Sequence, residues 1–262
     1  MRRYLRLYLH FLRFSFSRAM EFRVDFFFRV VMDTVFYLVS LSFFAILYGH
    51  VDELADWNLD QIYIFVSGIF LMDALHMTVF ANNAWYFPFL VNQGDLDYYL
   101  VRPVSTLFFV SLREFAANSF LNVLIAIGIF CWSLARYTGE IGPVDITIYV
   151  LLIINGTVIY WMLQMLFLIP VFWMHSSIGL RQLFFGLHLF SERPHKIYPG
   201  VTRTILLTVL PFGLVASVPA TILFEGLTLG WAIHITCVVL GLFGVLQLAW
   251  GFGLRSYSSA SS

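Results

Sequence analysis

Six stretches of the chain approach or exceed the roughly 20 apolar residues that a helix needs to cross a bilayer core. They fall at about 30–48, 62–81, 115–134, 146–171, 205–224 and 229–248. Of the 262 residues 60% are hydrophobic and only 11% charged, and a soluble domain of this size could not hide so much apolar surface. Within hydrocarbon every backbone polar group must be satisfied inside the protein, so spans of this length become helices. The expected fold is all-α, a polytopic membrane protein forming a single transmembrane domain over 1–262.

Met1, Arg2 and Arg3 resemble the start of a signal peptide, but His10, Arg13, Ser15 and Ser17 interrupt what would be its apolar core. No small-x-small cleavage site follows. At about 100° per residue, Arg2, Arg6, His10, Arg13 and Ser17 share one narrow stripe, with Leu5, Leu9, Leu12, Phe14 and Phe16 outside it. That is the pattern of an amphipathic helix over 1–24 lying in the membrane interface, its arginines toward anionic headgroups. The plainer reading is a solvated lead-in to the first span.

Arg and Lys fall in the N-terminal segment, around 92–114, in 175–203 and near the C-terminus, with Arg136 the exception. The opposite loops carry Asp52, Glu53, Asp56, Asp60, Glu140, Asp145 and Glu225. Basic residues favour the cytoplasmic side, so six spans place both termini there, in a bacterial-type plasma membrane, with 175–203 also inside. Trp57, Trp132 and Trp231 would mark the outer boundary and Trp85, Trp173 and Trp250 the inner one. Pro211, Gly213, Pro219 and Gly226 argue against a straight fifth helix, leaving a re-entrant hairpin or an ordinary kink.

Between the second and third spans lies a polar insert, NQGDLDYYLVRP, at 92–103. Gly94 permits a chain reversal, Asp95 can cap a helix from Leu96 to Val101, and Pro103 can open the next helix. Asp95 and Asp97 would sit at the positive end of that helix and Arg102 at its negative end. Leu96, Tyr98, Tyr99 and Leu100 offer a small apolar surface that could enter a partner's groove. On capping alone the insert equally reads as an interfacial turn.

Intramembrane ionisable groups are functional candidates. Asp73 and His76 are three apart on one helix face, and Arg29 and Asp33 four apart form a candidate interface pair. Glu114, Asn118 and Asn122 recur every four residues, so with Asp73 and His76 they are the candidate lining of a translocation path. The competing role is interhelical hydrogen bonding, worth about 1 kcal/mol each. Gly241 and Gly244 suggest close helix packing.

Catalytic and metal-binding motifs are missing from the sequence. There is no phosphate loop, and Lys196 is the only lysine. No H-E-x-x-H, G-x-S-x-G or C-x-x-C pattern occurs, and Cys131 and Cys237 lie in apolar runs. No catalytic residue and no metal ligand is therefore assigned, and dispersed basic residues argue against nucleic acid. His175, His188, Glu192 and His195 cluster loosely, which keeps open an alternative, a membrane-embedded enzyme acting on lipid-linked groups. A non-catalytic assembly factor is a further one.

The basic interfacial N-terminus, the six spans, the proline-broken fifth span and the insert Gly94-Asp95-Leu96-Asp97-Tyr98-Tyr99-Leu100-Val101-Arg102-Pro103 together resemble the type 2 ABC exporter permeases. The string Arg193-Pro194-His195-Lys196-Ile197-Tyr198-Pro199 is similar to the subgroup encoded beside a separate ATPase. The resemblance implies that Gly94, Asp95, Leu96, Asp97, Tyr98, Tyr99, Leu100, Arg102 and Pro103 form a coupling helix seated in an ATP-binding subunit. Arg2, Arg6, His10 and Arg13 would lie on the interfacial helix that also touches it. It further implies two ATPases carrying ATP and Mg, no cofactor in this chain, and a second permease, identical or paralogous, within the lipid bilayer.

Overall fold

The computed structural model describes residues 4, 7–12, 23–116, 119–174, 176 and 178–257, with the side chains at 23–26 and 29 excepted. The described residues are helical throughout, apart from turns, short 3₁₀ and π segments and one isolated bridge between Leu54 and Trp57. The all-α expectation holds.

Helix α1 runs over Arg23–Leu47 and α2 over Leu59–His76. A π-helical turn, Met77–Ala81, joins α2 directly to α3, Asn82–Gln93. Asn58 caps α2 in a reciprocal box with Gln61, both bonds 3.0 Å, because its side chain satisfies a donor that the first turn leaves open. The resulting rod is longer than the span expected from hydropathy and delivers the chain to the insert. One-turn helix α4 spans Asp97–Leu100, and α5 spans Thr106–Leu112.

Helix α6 is Phe120–Arg136, α7 Pro143–Leu168, α8 Val171–Met174 and α9 Ile178–His188. A 3₁₀ turn at His195–Ile197 leads to α10, Gly200–Thr208; a second, Phe212–Leu214, leads to α11, Ser217–Glu225, and α12 closes the described chain at Leu229–Ser256. Among the described residues four helical stretches are long and apolar enough to cross a membrane: Val30–Leu47, Leu59–Gln93, Pro143–Met174 and Leu229–Ser256. Helix α6 is apolar but shorter.

Helix α2 forms the centre, packed on α6 and α7, with α1 and α11 also against it. Most of its side chains are buried and the rest only partly exposed, so the two-sided hydrophobicity of its sequence matches its position. Helix α7 carries α9, α11 and α12 on its other sides. By contrast α1 and α12 turn most of their apolar side chains outward, among them Phe27, Phe28, Met32, Leu240, Leu248 and Phe252.

The 205–224 region is not one span. The chain dips inward along α10, reverses through Pro211 and Phe212–Leu214, and returns along α11 to place Phe224 beside Trp57, ring centroids 5.8 Å apart. Pro211 cannot donate the bond that would continue α10. The hairpin survives because α11 is buried within protein, which satisfies the broken backbone.

Three further expectations are corrected. Lys196 bonds Glu225 at 2.7 Å and lies 3.8 Å from Asp56, so 191–199 sits at the same end of the bundle as the acidic loops, not with the insert. The count of basic residues misplaced this segment because α9 carries the chain back along α7. Trp57 and Trp250 are core side chains rather than belt residues, packed on Phe65 and Phe224 and on Phe87 and Phe172 respectively. Gly241 and Gly244 face open space, with no atom within 4 Å of a β-carbon placed on either.

Candidate functional site

The insert stands at the end of the α2–α3 rod. Gly94 ends α3 with φ +80°, a left-handed conformation that suits glycine, and the Leu96 amide turns back to the Leu90 carbonyl at 3.1 Å. The chain then makes the single turn of α4. Asp95 does not cap this helix through its side chain; Leu96 occupies the cap position. Pro103 does not open α5, whose cap is Ser105, accepting from the Phe108 amide at 3.4 Å. Both differences follow from a tighter reversal, which leaves no extended residue where Asp95 could act as a cap.

The surface the insert presents is narrower than its composition suggests. Leu96 is fully buried and anchors the turn in the core. Tyr99 points inward as well, where its hydroxyl accepts from Arg113. Arg113 is stacked 5.4 Å from the Tyr99 ring and 5.2 Å from that of Tyr86. Arg102 lies 4.8 Å over Phe109 and donates to the Tyr98 carbonyl at 3.2 Å. These guanidinium–aromatic contacts tie α4 to α3 and α5. What remains outside is Tyr98, Leu100 and Val101, with Val101 83% exposed, flanked by exposed Arg102 and Pro103 and half-buried Asp97 and Asp95.

Two other segments border this turn. Residues 7–12 are helical, and Phe11 packs on Phe109 at 5.1 Å; Tyr4 packs on Phe108 at 4.8 Å and its hydroxyl accepts from the Ser105 amide at 3.2 Å. The N-terminal helix therefore lies against α5, the helix that follows the insert, with His10 exposed. Arg2, Arg6 and Arg13 lie outside the described residues. At the other terminus Tyr257 lies near the Asp97 and Asp95 carboxylates. Its hydroxyl pKa is pushed up to about 12, by burial first and then by those charges.

The intramembrane polar residues do not assemble into one stripe. Residues 113–116 are not helical, so Glu114 does not share a helix face with Asn122; it pairs with Arg113 at 3.0 Å. Asn118 lies outside the described residues. The segment is pinned by Asn83, whose amide donates to the Glu114 carbonyl at 2.7 Å and whose oxygen accepts from the Glu114 amide at 2.8 Å. Asn83 thus behaves as a substitute strand of backbone beside the π turn, a role with no signature in spacing. Asn122 faces α1 and donates to Asp33, while the Arg29 side chain is not described.

Asp73 and His76 do not pair with each other. His76 Nε2 bonds Gln164 Oε1 on α7 at 2.8 Å, and its ring meets Tyr160 edge-on at 4.6 Å. The four histidine-segment candidates also separate. His188 Nε2 lies 3.5 Å from Glu192 and its Nδ1 3.0 Å from Ser191 Oγ, but Ser191 is buried and is no accessible nucleophile. His195 belongs to the hairpin, where its backbone amide donates to Ser217 Oγ at 2.8 Å and its Nδ1 lies 2.7 Å from the same oxygen. Burial lowers its pKa to about 4, with Arg203 and Lys196 adding repulsion. His175 lies outside the described residues, among which no group of three or more His, Cys, Asp or Glu could hold a metal.

Comparison with known proteins adds one finding. The family model described as ABC-2 family transporter protein matches residues 34–261. No curated protein and no solved structure matches the chain.

Proposed function

The chain belongs to the ABC-2 family of transporter proteins, and from that premise we propose that it is the permease of an ATP-driven exporter, coupled through 94–103 to a separate ATP-binding subunit. It is a multi-pass membrane protein whose family supplies the membrane subunit of ABC transporters. The observation that carries the proposal is the shape of the insert. A one-turn helix with exposed Tyr98, Leu100 and Val101 is fastened to the central rod by buried Leu96 and the Arg113–Tyr99 contact. Such a turn fits an apolar cleft on a partner and can transmit its displacement.

In this reading ATP and Mg reside on two partner subunits, whose closure pushes α4 and the adjoining N-terminal helix. Two permeases, identical or paralogous, flank the route. Helix α9 makes the fifth of six crossings, the α10–α11 hairpin lies at the outer face, and both termini are cytoplasmic in a plasma membrane. Among the proposed path residues, Asp73 is the carboxylate on α2 without a described bond, whereas His76, Glu114 and Asn122 act first as structural ties. The enzyme reading loses its footing because His188, Glu192 and His195 do not converge on one accessible site. The deciding experiment purifies the tagged chain from its native membranes, unaltered and with Tyr98 and Val101 changed, and identifies what co-purifies together with its ATPase activity.

A further inference from the structure

Helix α1 is tied to the bundle through its first half, where Asp33 accepts from Asn122 and Tyr37 stacks on Phe70 with ring centroids 4.2 Å apart. Further along it stands off. Phe36, Val39, Ser40, Phe43, Phe44 and Leu47 recur at helical spacing and line an apolar cleft of about 570 Å³, whose floor is Val66, Ile69 and Phe70 of α2 and whose other wall is the 192–197 turn. The floor is buried, whereas Phe36, Val39 and Phe43 are 55%, 61% and 60% exposed. The cleft is thus a slot open sideways along α1, in the half of the bundle that ends at the acidic 52–60 loop.

Its dimensions decide what can occupy it. From Phe36 to Leu47 the slot follows α1 for roughly 16 Å at the rise of an α-helix, close to the thickness of one leaflet in a hydrocarbon core of about 30 Å. Spread over that length, its volume of about 570 Å³ gives a section of roughly 35 Å². A helix about 10 Å across needs more than twice that section, so a neighbouring helix does not enter. An extended hydrocarbon chain, little wider than a carbon–carbon contact of about 4 Å, does. Charge adds no preference. The lining carries Glu192 and Arg193, consecutive and of opposite sign, with Ser40 its other polar side chain. A headgroup of either net charge meets one attractive and one repulsive group, so the slot selects for the chain.

We infer that this slot holds one acyl chain of a phospholipid from the surrounding leaflet, gripped between the phenylalanines of α1 and the floor on α2 and bound without regard to headgroup charge. The inference goes beyond the exporter reading and does not depend on it. The purified full chain, delipidated in detergent, is titrated with dipalmitoyl phosphatidylcholine and with dipalmitoyl phosphatidylglycerol, and native mass spectrometry counts the lipids retained. Both lipids are expected to saturate one tight site per chain, with affinities within about fivefold of each other, the reach of an exposed ion pair. Val39→Trp and Ser40→Trp, which fill the slot from the α1 side, should each weaken that site roughly tenfold or more, the equivalent of two displaced methylenes. Leu38→Trp, at an exposed α1 position outside the slot, should leave it unchanged. Val39 is itself exposed and accepts the larger side chain, and thermal midpoints identify any variant that has lost its fold. The absence of a saturable site, a site indifferent to the slot-filling variants in folded protein, an equal loss with Leu38→Trp, or a larger headgroup preference overturns the inference. So does a dimer in the same spectra that excludes the lipid and dissociates in the slot-filling variants, since the cleft is then a contact with a second copy. The measurement uses no ATP-binding subunit, so its failure and the failure of the exporter reading are distinguishable.

Discussion

A β-carbon added to Gly156 would stand 2.1 Å from the carbonyl oxygen of Val215, so α7 and the turn entering α11 touch backbone to backbone. No side chain can move aside at such a contact. Gly156→Ala should therefore destabilise the detergent-solubilised protein by about 1–3 kcal/mol, the usual penalty of overpacking. Gly241→Ala and Gly244→Ala, which meet open space, should be neutral or slightly stabilising. Thermal unfolding of the three variants checks the difference.

The His76–Gln164 bond joins the two central helices. Gln164→Leu should cost about 1–2 kcal/mol by leaving the imidazole without its partner. The double change His76→Leu with Gln164→Leu should cost less than the two single effects added, as a double-mutant cycle in thermal stability would read.

The hairpin should respond to acid. His195 is neutral in the folded protein because burial holds its pKa near 4, whereas an unfolded histidine titrates near 6.5. As pH falls below that value the unfolded form takes up the proton first. Stability is thus present at neutral pH and is lost by about 2 kcal/mol toward pH 5. His195→Asn, which can still meet Ser217, should flatten this part of the profile.

Asp56 and Lys196 should be accessible from the same side of the membrane, since they lie within 3.8 Å. Single cysteines at the two positions, in a chain whose Cys131 and Cys237 are replaced by Ser, should react together with an impermeant reagent added outside intact cells. Reaction of one and protection of the other would contradict the placement of the 191–199 turn.

Helical class, four of the six expected spans, the Gly94 reversal and the proline break around Pro211 were legible because each rests on local chemistry: span length, a backbone conformation, a missing donor. Side-chain partners across the bundle were not. Leu96 and Tyr99 read as surface beside Tyr98, yet one turn of helix divides its residues between core and solvent according to a tertiary neighbour, here Arg113. The Glu114 to Asn122 stripe failed because Asn83 captures the backbone at Glu114 and ends any helix there. Lys196 misled the charge count since its companions, Asp56 and Glu225, are 140 and 29 residues away in sequence.

Leu96 and Val101 offer the most direct test of the account, because α4 buries one and exposes the other. Leu96→Arg should prevent stable folding. Tyr98→Arg with Val101→Glu should fold and insert normally. The measurement is mild-detergent purification of the tagged chain from its native membranes, with identification of what co-purifies and its ATPase activity. The account predicts a stoichiometric Walker-type ATPase with the unaltered chain, lost with the folded Tyr98→Arg, Val101→Glu variant. An intact chain that emerges alone across several detergents, or a partner retained undiminished by the double variant, would contradict it.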